Sequence, residues 1–116
     1  MKTATTTVVL SLALLVPGYA AAADGKEVFD NTCKQCHGAD GNGSATADAF
    51  FKIKVPRLTE TYVQMKTNKE LKEIITGGKG QMDPVKLKNR PAAPHRKDLS
   101  AEETDAVIAY VRTLSK

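Results

Sequence analysis

The chain has 116 residues, 17 of them basic and 13 acidic, for a formal net charge of +4. That length supports one small domain rather than two. The mild positive balance, with aromatics at 5% of residues, argues against a nucleic-acid-binding face, which wants a dense basic patch and rings to stack on bases.

Residues 1–23 read as a secretory signal peptide. Met1 and Lys2 make a short positive start, and Val8 to Val16 (VVLSLALLV) form an apolar run too short to span a bilayer. Pro17 and Gly18 break that run, and the small residues Ala20 to Ala23 precede Asp24. Cleavage is expected after Ala23, with Ala22 as the alternative. An uncleaved anchor is disfavoured by the short run, and a lipidated N-terminus by the lack of a nearby Cys. The expected mature domain is 24–116, exported to the periplasm with no stable membrane insertion.

Residues 24–34 read as a helix, because Gly25, Phe29 and Cys33 recur every four residues and share one face. Residues 38–44 (GADGNGS) are a glycine-rich turn region; no strand precedes it and no Lys-Ser/Thr ending follows, so it is not a phosphate loop. Residues 45–54 are ambiguous, with Phe50, Phe51, Ile53 and Val55 available to pack on a ligand or on each other. Residues 56–58 must leave regular structure, and a short helix is expected over 59–66. Thr67-Asn68-Lys69-Glu70 has the form of a capping box. Leu71, Ile74 and Ile75 then make an apolar stripe that Gly77 and Gly78 end. Residues 81–84 are read as a turn. Residues 85–98, with Lys86, Lys88, Arg90, Arg96 and Lys97, are read as an exposed basic loop. Ser100 to Glu103 form a second capping box, better placed than the first. The helix after it buries Val107, Tyr110, Val111 and Leu114 on one face. With no convincing strand, the fold class is all-α with long loops, and loops of that length in so small a domain suggest that they wrap something.

The mature chain has two cysteines, in the string Cys33-Lys34-Gln35-Cys36-His37. A disulfide across two intervening residues closes too small a loop to constrain the unfolded chain much. A redox-active dithiol normally sits beside a βαβ pattern, which is lacking here. A structural zinc site wants four ligands, and only Cys33, Cys36, His37 and His95 offer themselves. Haem attachment accounts for all three residues of the string. One helical turn lays both sulfurs along one porphyrin edge, and the next residue brings its imidazole under the iron as proximal ligand. A domain this small also has little apolar area of its own to bury, so a large apolar prosthetic group at its centre would help it fold.

At this point the residues resemble a known family, the class I (small, soluble, single-haem) bacterial cytochromes c. The resemblance runs from about Gly25 to Leu114. It is carried by Gly25 to Phe29 leading into Cys33 to Gly41, by Ile74 to Met82, and by Leu99 to Arg112. It implies three to five helices wrapped around one covalently bound haem c, with the N- and C-terminal helices crossing at Gly25, Phe29 and Tyr110. It also implies that Cys33 and Cys36 hold the haem, that His37 and Met82 bind iron from opposite sides, and that the Pro56 backbone carbonyl orients His37. One departure stands out: Asp83 intervenes between Met82 and Pro84, where the family usually puts proline directly after the methionine. His95 is the rival distal ligand, and Met65 is read as core filler.

With both axial positions filled, no place is left for a substrate. The expected function is therefore not an enzyme's. It is that of a soluble electron-transfer protein, a one-electron Fe(II)/Fe(III) carrier between redox partners outside the cytoplasm. The alternatives are a haem subunit of a larger oxidoreductase and an open-site haem enzyme or sensor. The carrier is expected to be a monomer. Lys34, Lys79, Lys86 and Lys88 would meet acidic docking surfaces on its partners.

Overall fold

Asp24 opens the first helix for a local reason: its carboxylate accepts from the backbone N–H groups of Lys26 at 3.0 Å and Glu27 at 3.3 Å, donors that a helix start leaves unsatisfied. The computed structural model describes residues 22–82 and 95–115, and every regular element among them is helical. Nearly all of the expected signal segment, and the basic stretch with Lys86, Lys88 and Arg90, lie outside the described residues.

Helix α1 spans Gly25–Thr32 and a single turn, α2, spans Lys34–His37. The helix expected without interruption over 24–34 is thus broken at Cys33. There the Thr32 hydroxyl donates back to the Val28 carbonyl at 2.5 Å, a local bond that competes with the helix ladder. Helix α3 is Ala45–Phe51, capped by the Ser44 hydroxyl and ended by Lys52 in the left-handed region. This settles the ambiguous stretch as a helix. Helix α4 is one turn, Thr61–Gln64, shorter than expected. Helix α5 is Asn68–Gly77, ended by Gly78 at φ 67°. A 3₁₀ turn covers Gly80–Met82, and α6 runs over Ala101–Thr113.

The two capping boxes reverse their expected order. At α5 both halves form: Glu70 N–H donates to the Thr67 hydroxyl at 3.1 Å, and the Glu70 carboxylate accepts from Thr67 N–H at 2.7 Å. At α6 the structure gives the Ser100 half, with Glu103 N–H donating to the hydroxyl at 3.0 Å.

Helix α6 holds the domain together because two of its faces are buried. Val107 and Val111 pack with Phe29 of α1, while Ile108 packs with Val63 of α4 and Leu71 of α5. Leu58 and Ile75 touch both clusters. The i, i+3, i+4 pattern located the first face; Thr104 and Ile108, both buried, extend it. Arg112 then secures α4, donating from Nη1 to the Gln64 carbonyl at 2.7 Å and from Nη2 to the Lys66 carbonyl at 2.5 Å. These are carbonyls that the end of a helix leaves without partners.

The expected crossing of terminal helices is present. A side chain on Gly25 would run into the Ala106 carbonyl oxygen, so only glycine permits this approach. The rings of Phe29 and Tyr110 meet at 5.2 Å between centroids, tilted by 58°. Gly25→Ala should therefore force the helices apart, costing roughly 1–3 kcal/mol and lowering the thermal midpoint by on the order of 10 °C; a melt followed by circular dichroism would reveal it.

Candidate functional site

The helices enclose a cavity of about 320 Å³, lined on one side by Cys33, Cys36 and His37. Phe51, Ile53, Val55 and Pro56 line it as well, with Val63, Leu71, Ile74 and Ile75. Val107 and Val111 of α6 and Met82 of the 3₁₀ turn also border it. The apolar stripes read from the sequence as core faces of α5 and α6 thus serve the cavity too. A concave, mostly apolar space with a few polar groups has the character of a cofactor site.

His37 is 9% exposed and its Nδ1 lies 3.0 Å from the Pro56 carbonyl oxygen. A carbonyl can only accept, so Nδ1 carries the proton and Nε2 keeps its lone pair. Burial pushes the imidazole pKa below its ordinary value, the Pro56 bond acts the other way, and the Arg57 cation lowers it further. The outcome is a neutral ring with Nε2 free, the form that binds a metal.

The turn geometry brings the two sulfurs to the same cavity. Both Cys36 N–H, at 3.2 Å, and His37 N–H, at 3.0 Å, donate to the Cys33 carbonyl. Gly38 follows at φ 81°, where its N–H closes onto the Lys34 carbonyl at 2.8 Å. Burial pushes both thiols up, the reverse of the depressed thiol that a disulfide-exchange catalyst needs. Among the described residues, no group of three or more His, Cys, Asp or Glu side chains is placed to hold a metal ion. Two sulfurs, a neutral imidazole and a thioether around one apolar space fit a haem held at its edge and at its iron.

The structure therefore brings Cys33, Cys36, His37, Pro56 and Met82 together at one cavity. Met65 is 78% exposed, so its reading as core filler is corrected: one turn of α4 is too short to carry it inward. Phe50 is 49% exposed and meets Phe51 edge-on at 5.0 Å; of the two, Phe51 is the ring on the cavity wall. His95 is half-buried and is not among the residues lining the cavity. Arg96, expected in an exposed loop, is instead half-buried on the cavity wall, where its backbone N–H donates to the Ile75 carbonyl at 2.6 Å. No sequence signal marked it, since the contact joins residues far apart in the chain.

Comparisons with known proteins agree with this chemistry. The Cytochrome c family model matches residues 22–115. Cytochrome c oxidase subunit 2 of Alkalihalophilus pseudofirmus is 32% identical over 94 residues, which are 80% of this chain and 25% of that protein. The cbb3-type cytochrome c oxidase subunit CcoP of Rubrivivax gelatinosus is 40% identical over 67 residues, 56% of this chain and 19% of that one. This chain thus spans about a quarter or less of the length of the two oxidase subunits. Cytochrome c-554(547) of Halothiobacillus neapolitanus is 28% identical over 93 residues, 80% of this chain and 96% of that protein. A solved c-type cytochrome shares the fold, with a TM-score of 0.57 at 23% identity, covering 80% of this chain and 99% of the other.

Left without a guest, an apolar hollow of this size would deprive a small, marginally stable domain of much of its core packing. The chain produced without its prosthetic group should therefore show much reduced helix content and no cooperative melt by far-ultraviolet circular dichroism.

Proposed function

We propose that this chain, which belongs to the cytochrome c family, is a free one-electron carrier working outside the cytoplasm. A cytochrome c domain holds haem c covalently and carries electrons through the change between Fe(II) and Fe(III). In this reading Cys33 and Cys36 would hold the haem covalently, through carbon–sulfur bonds at its two vinyl positions. His37 Nε2 and the Met82 thioether would hold the iron. The Pro56 carbonyl orients the imidazole and makes it a stronger donor. The observation that carries the reading is the buried, neutral His37, bonded to Pro56 at 3.0 Å on the wall of the cavity that both cysteines and Met82 also line.

With His37 and Met82 both holding the iron, a substrate would find no open position, which supports a carrier rather than an enzyme. A methionine ligand favours the reduced metal and raises the potential. The apolar walls from Val55, Leu71, Ile74 and Val111 would keep water from the bound macrocycle. Lys34 and Lys79 are exposed, although Lys79 bonds the Glu73 carboxylate at 2.6 Å. Such cations near the site support docking of acidic partners, steered by charge and weakened by salt. No helix among the described residues is long and apolar enough to cross a membrane. Export rests on the signal-like residues 1–23, so the mature protein should begin at Asp24. A second reading, a haem-bearing part of a larger oxidoreductase, draws on the two oxidase subunits among the relatives. Purification of the native protein separates the two, a carrier coming alone and a subunit with companions.

The core assignment has direct tests. The C33S/C36S double variant should be isolated without covalently bound haem, judged by pyridine haemochrome analysis after acid–acetone extraction. Met82→Ala should lose the near-infrared charge-transfer band of a methionine-ligated ferric haem, and its reduced form should bind carbon monoxide quickly. Wild type lacking that band would remove Met82 from the iron. Rapid carbon monoxide binding by wild type at neutral pH would replace the carrier with an open-site haem enzyme or sensor. Electron exchange with an acidic partner should slow as ionic strength rises in stopped-flow measurements; independence from salt would count against docking by charge.

A further inference from the structure

The Pro56 carbonyl is carried on a segment without regular structure, between Lys52 and α4. Such a segment holds an oxygen within hydrogen-bond distance of one ring nitrogen only if something holds the segment. The described hydrogen bonds identify what does. Asp48, on α3, faces Arg57 in a two-pronged ion pair: Nη2 to Oδ2 at 2.8 Å and Nη1 to Oδ1 at 3.1 Å. The same two side chains grip the backbone of Val55, the residue before Pro56. Asp48 Oδ1 accepts the Val55 N–H at 2.8 Å, and Arg57 Nη1 donates to the Val55 carbonyl at 3.0 Å. On the other side of Pro56, the Leu58 N–H donates to the Gly41 carbonyl at 2.8 Å.

Both charged side chains are largely shielded from solvent, Arg57 at 20% and Asp48 at 24% exposure. A paired, half-buried guanidinium–carboxylate fork is geometrically specific in a way that a surface ion pair is not. Lysine, with one donor nitrogen, cannot span the two carboxylate oxygens and the Val55 carbonyl together. The fork has room because of Gly43: a side chain there would strike the Arg57 guanidinium. Gly43 in turn donates its N–H to the His37 carbonyl at 2.7 Å, so the clamp and the imidazole share one backbone support.

We infer that Asp48 and Arg57 are positioning residues for the proximal ligand: together they clamp the segment that aims the Pro56 carbonyl at His37 Nδ1, and so set how strongly the imidazole donates to the iron. The inference rests on the reading of His37 as an iron ligand. Neither residue touches the imidazole through a hydrogen bond of its own. The Arg57 charge also acts on the ring directly, lowering its pKa; the positioning effect passes through Val55 and Pro56 to the Nδ1 proton, and a stronger Nδ1 bond makes Nε2 more electron-rich and stabilises the oxidised metal.

The test uses the mature haem protein with Arg57→Lys, which keeps the positive charge but not the fork, and Asp48→Asn, which keeps the shape but not the charge. Two quantities are read: solvent exchange of the His37 Nδ1 proton in the reduced, ¹⁵N-labelled protein by nuclear magnetic resonance, and the midpoint potential by redox titration. We expect exchange to quicken by about tenfold or more as the clamp opens, and the potential to rise in both variants. A role confined to folding would lower the melting temperature and leave both readouts at wild-type values, which overturns the inference. Should Arg57→Lys fail to mature, Asp48→Asn carries the same two readouts alone, and wild-type values there overturn it equally. If the wild-type Nδ1 proton shows no haem ring-current shift, His37 is not the ligand; the functional reading then falls, and the inference with it. That result is distinct from a shifted proton whose exchange ignores both substitutions.

Discussion

The hydrogen bond between His37 and the Pro56 carbonyl is the constraint around which the domain is arranged. It decides the tautomer of a buried ring: with Nδ1 engaged, a neutral imidazole offers a metal its Nε2 lone pair. It also ties the single turn α2 to an irregular segment nineteen residues away. Everything near it serves to hold its two ends. Gly38 and Gly43 let the chain reverse directly after the histidine, both at positive φ. Leu58 is fastened to Gly41, and Val55 lies in the grip of Asp48 and Arg57.

The apolar shell has a second purpose beyond ordinary core packing. Val107 and Val111 face both the α1 contact and the cavity, so the helix that closes the domain also lines its site. Ile75 similarly touches both core clusters and the cavity. Stability and cofactor retention are therefore coupled through the same side chains. A substitution that loosens the crossing of α1 and α6 also loosens the wall around the guest. For a small domain this sharing is economical, since it lacks the apolar area to build two separate cores.

Much of the fold was legible along the chain because its determinants are local. The period of Leu71, Ile74 and Ile75, the Gly78 stop, and the caps at Thr67 and Ser100 all act within a few residues. The crossing at Gly25, Phe29 and Tyr110, by contrast, came from family resemblance rather than from periodicity, and the structure bears it out. Local rules also misjudged some details. The helix break at Cys33 depends on how the Thr32 hydroxyl competes with the ladder. Met65 looked like core by its residue type, yet a one-turn helix leaves it in solvent. Ile108 lies beside the stripe of Val107, Tyr110, Val111 and Leu114, and is buried because α4 and α5 pack on that side of α6.

Residue type and local spacing suffice for the chemistry: two sulfurs and an imidazole spaced for one helical turn, and helices with apolar stripes to surround a guest. Those features follow from residue type and short-range spacing, which survive in any arrangement of the chain. Which distant groups complete the site depends on how the helices pack. The Asp48–Arg57 fork, Arg96 on the cavity wall and the Arg112 tie to α4 each join residues separated by loops. Charged side chains in loops look alike in a sequence, and which acceptor each one meets is settled only when the packed helices bring those loops within bonding distance.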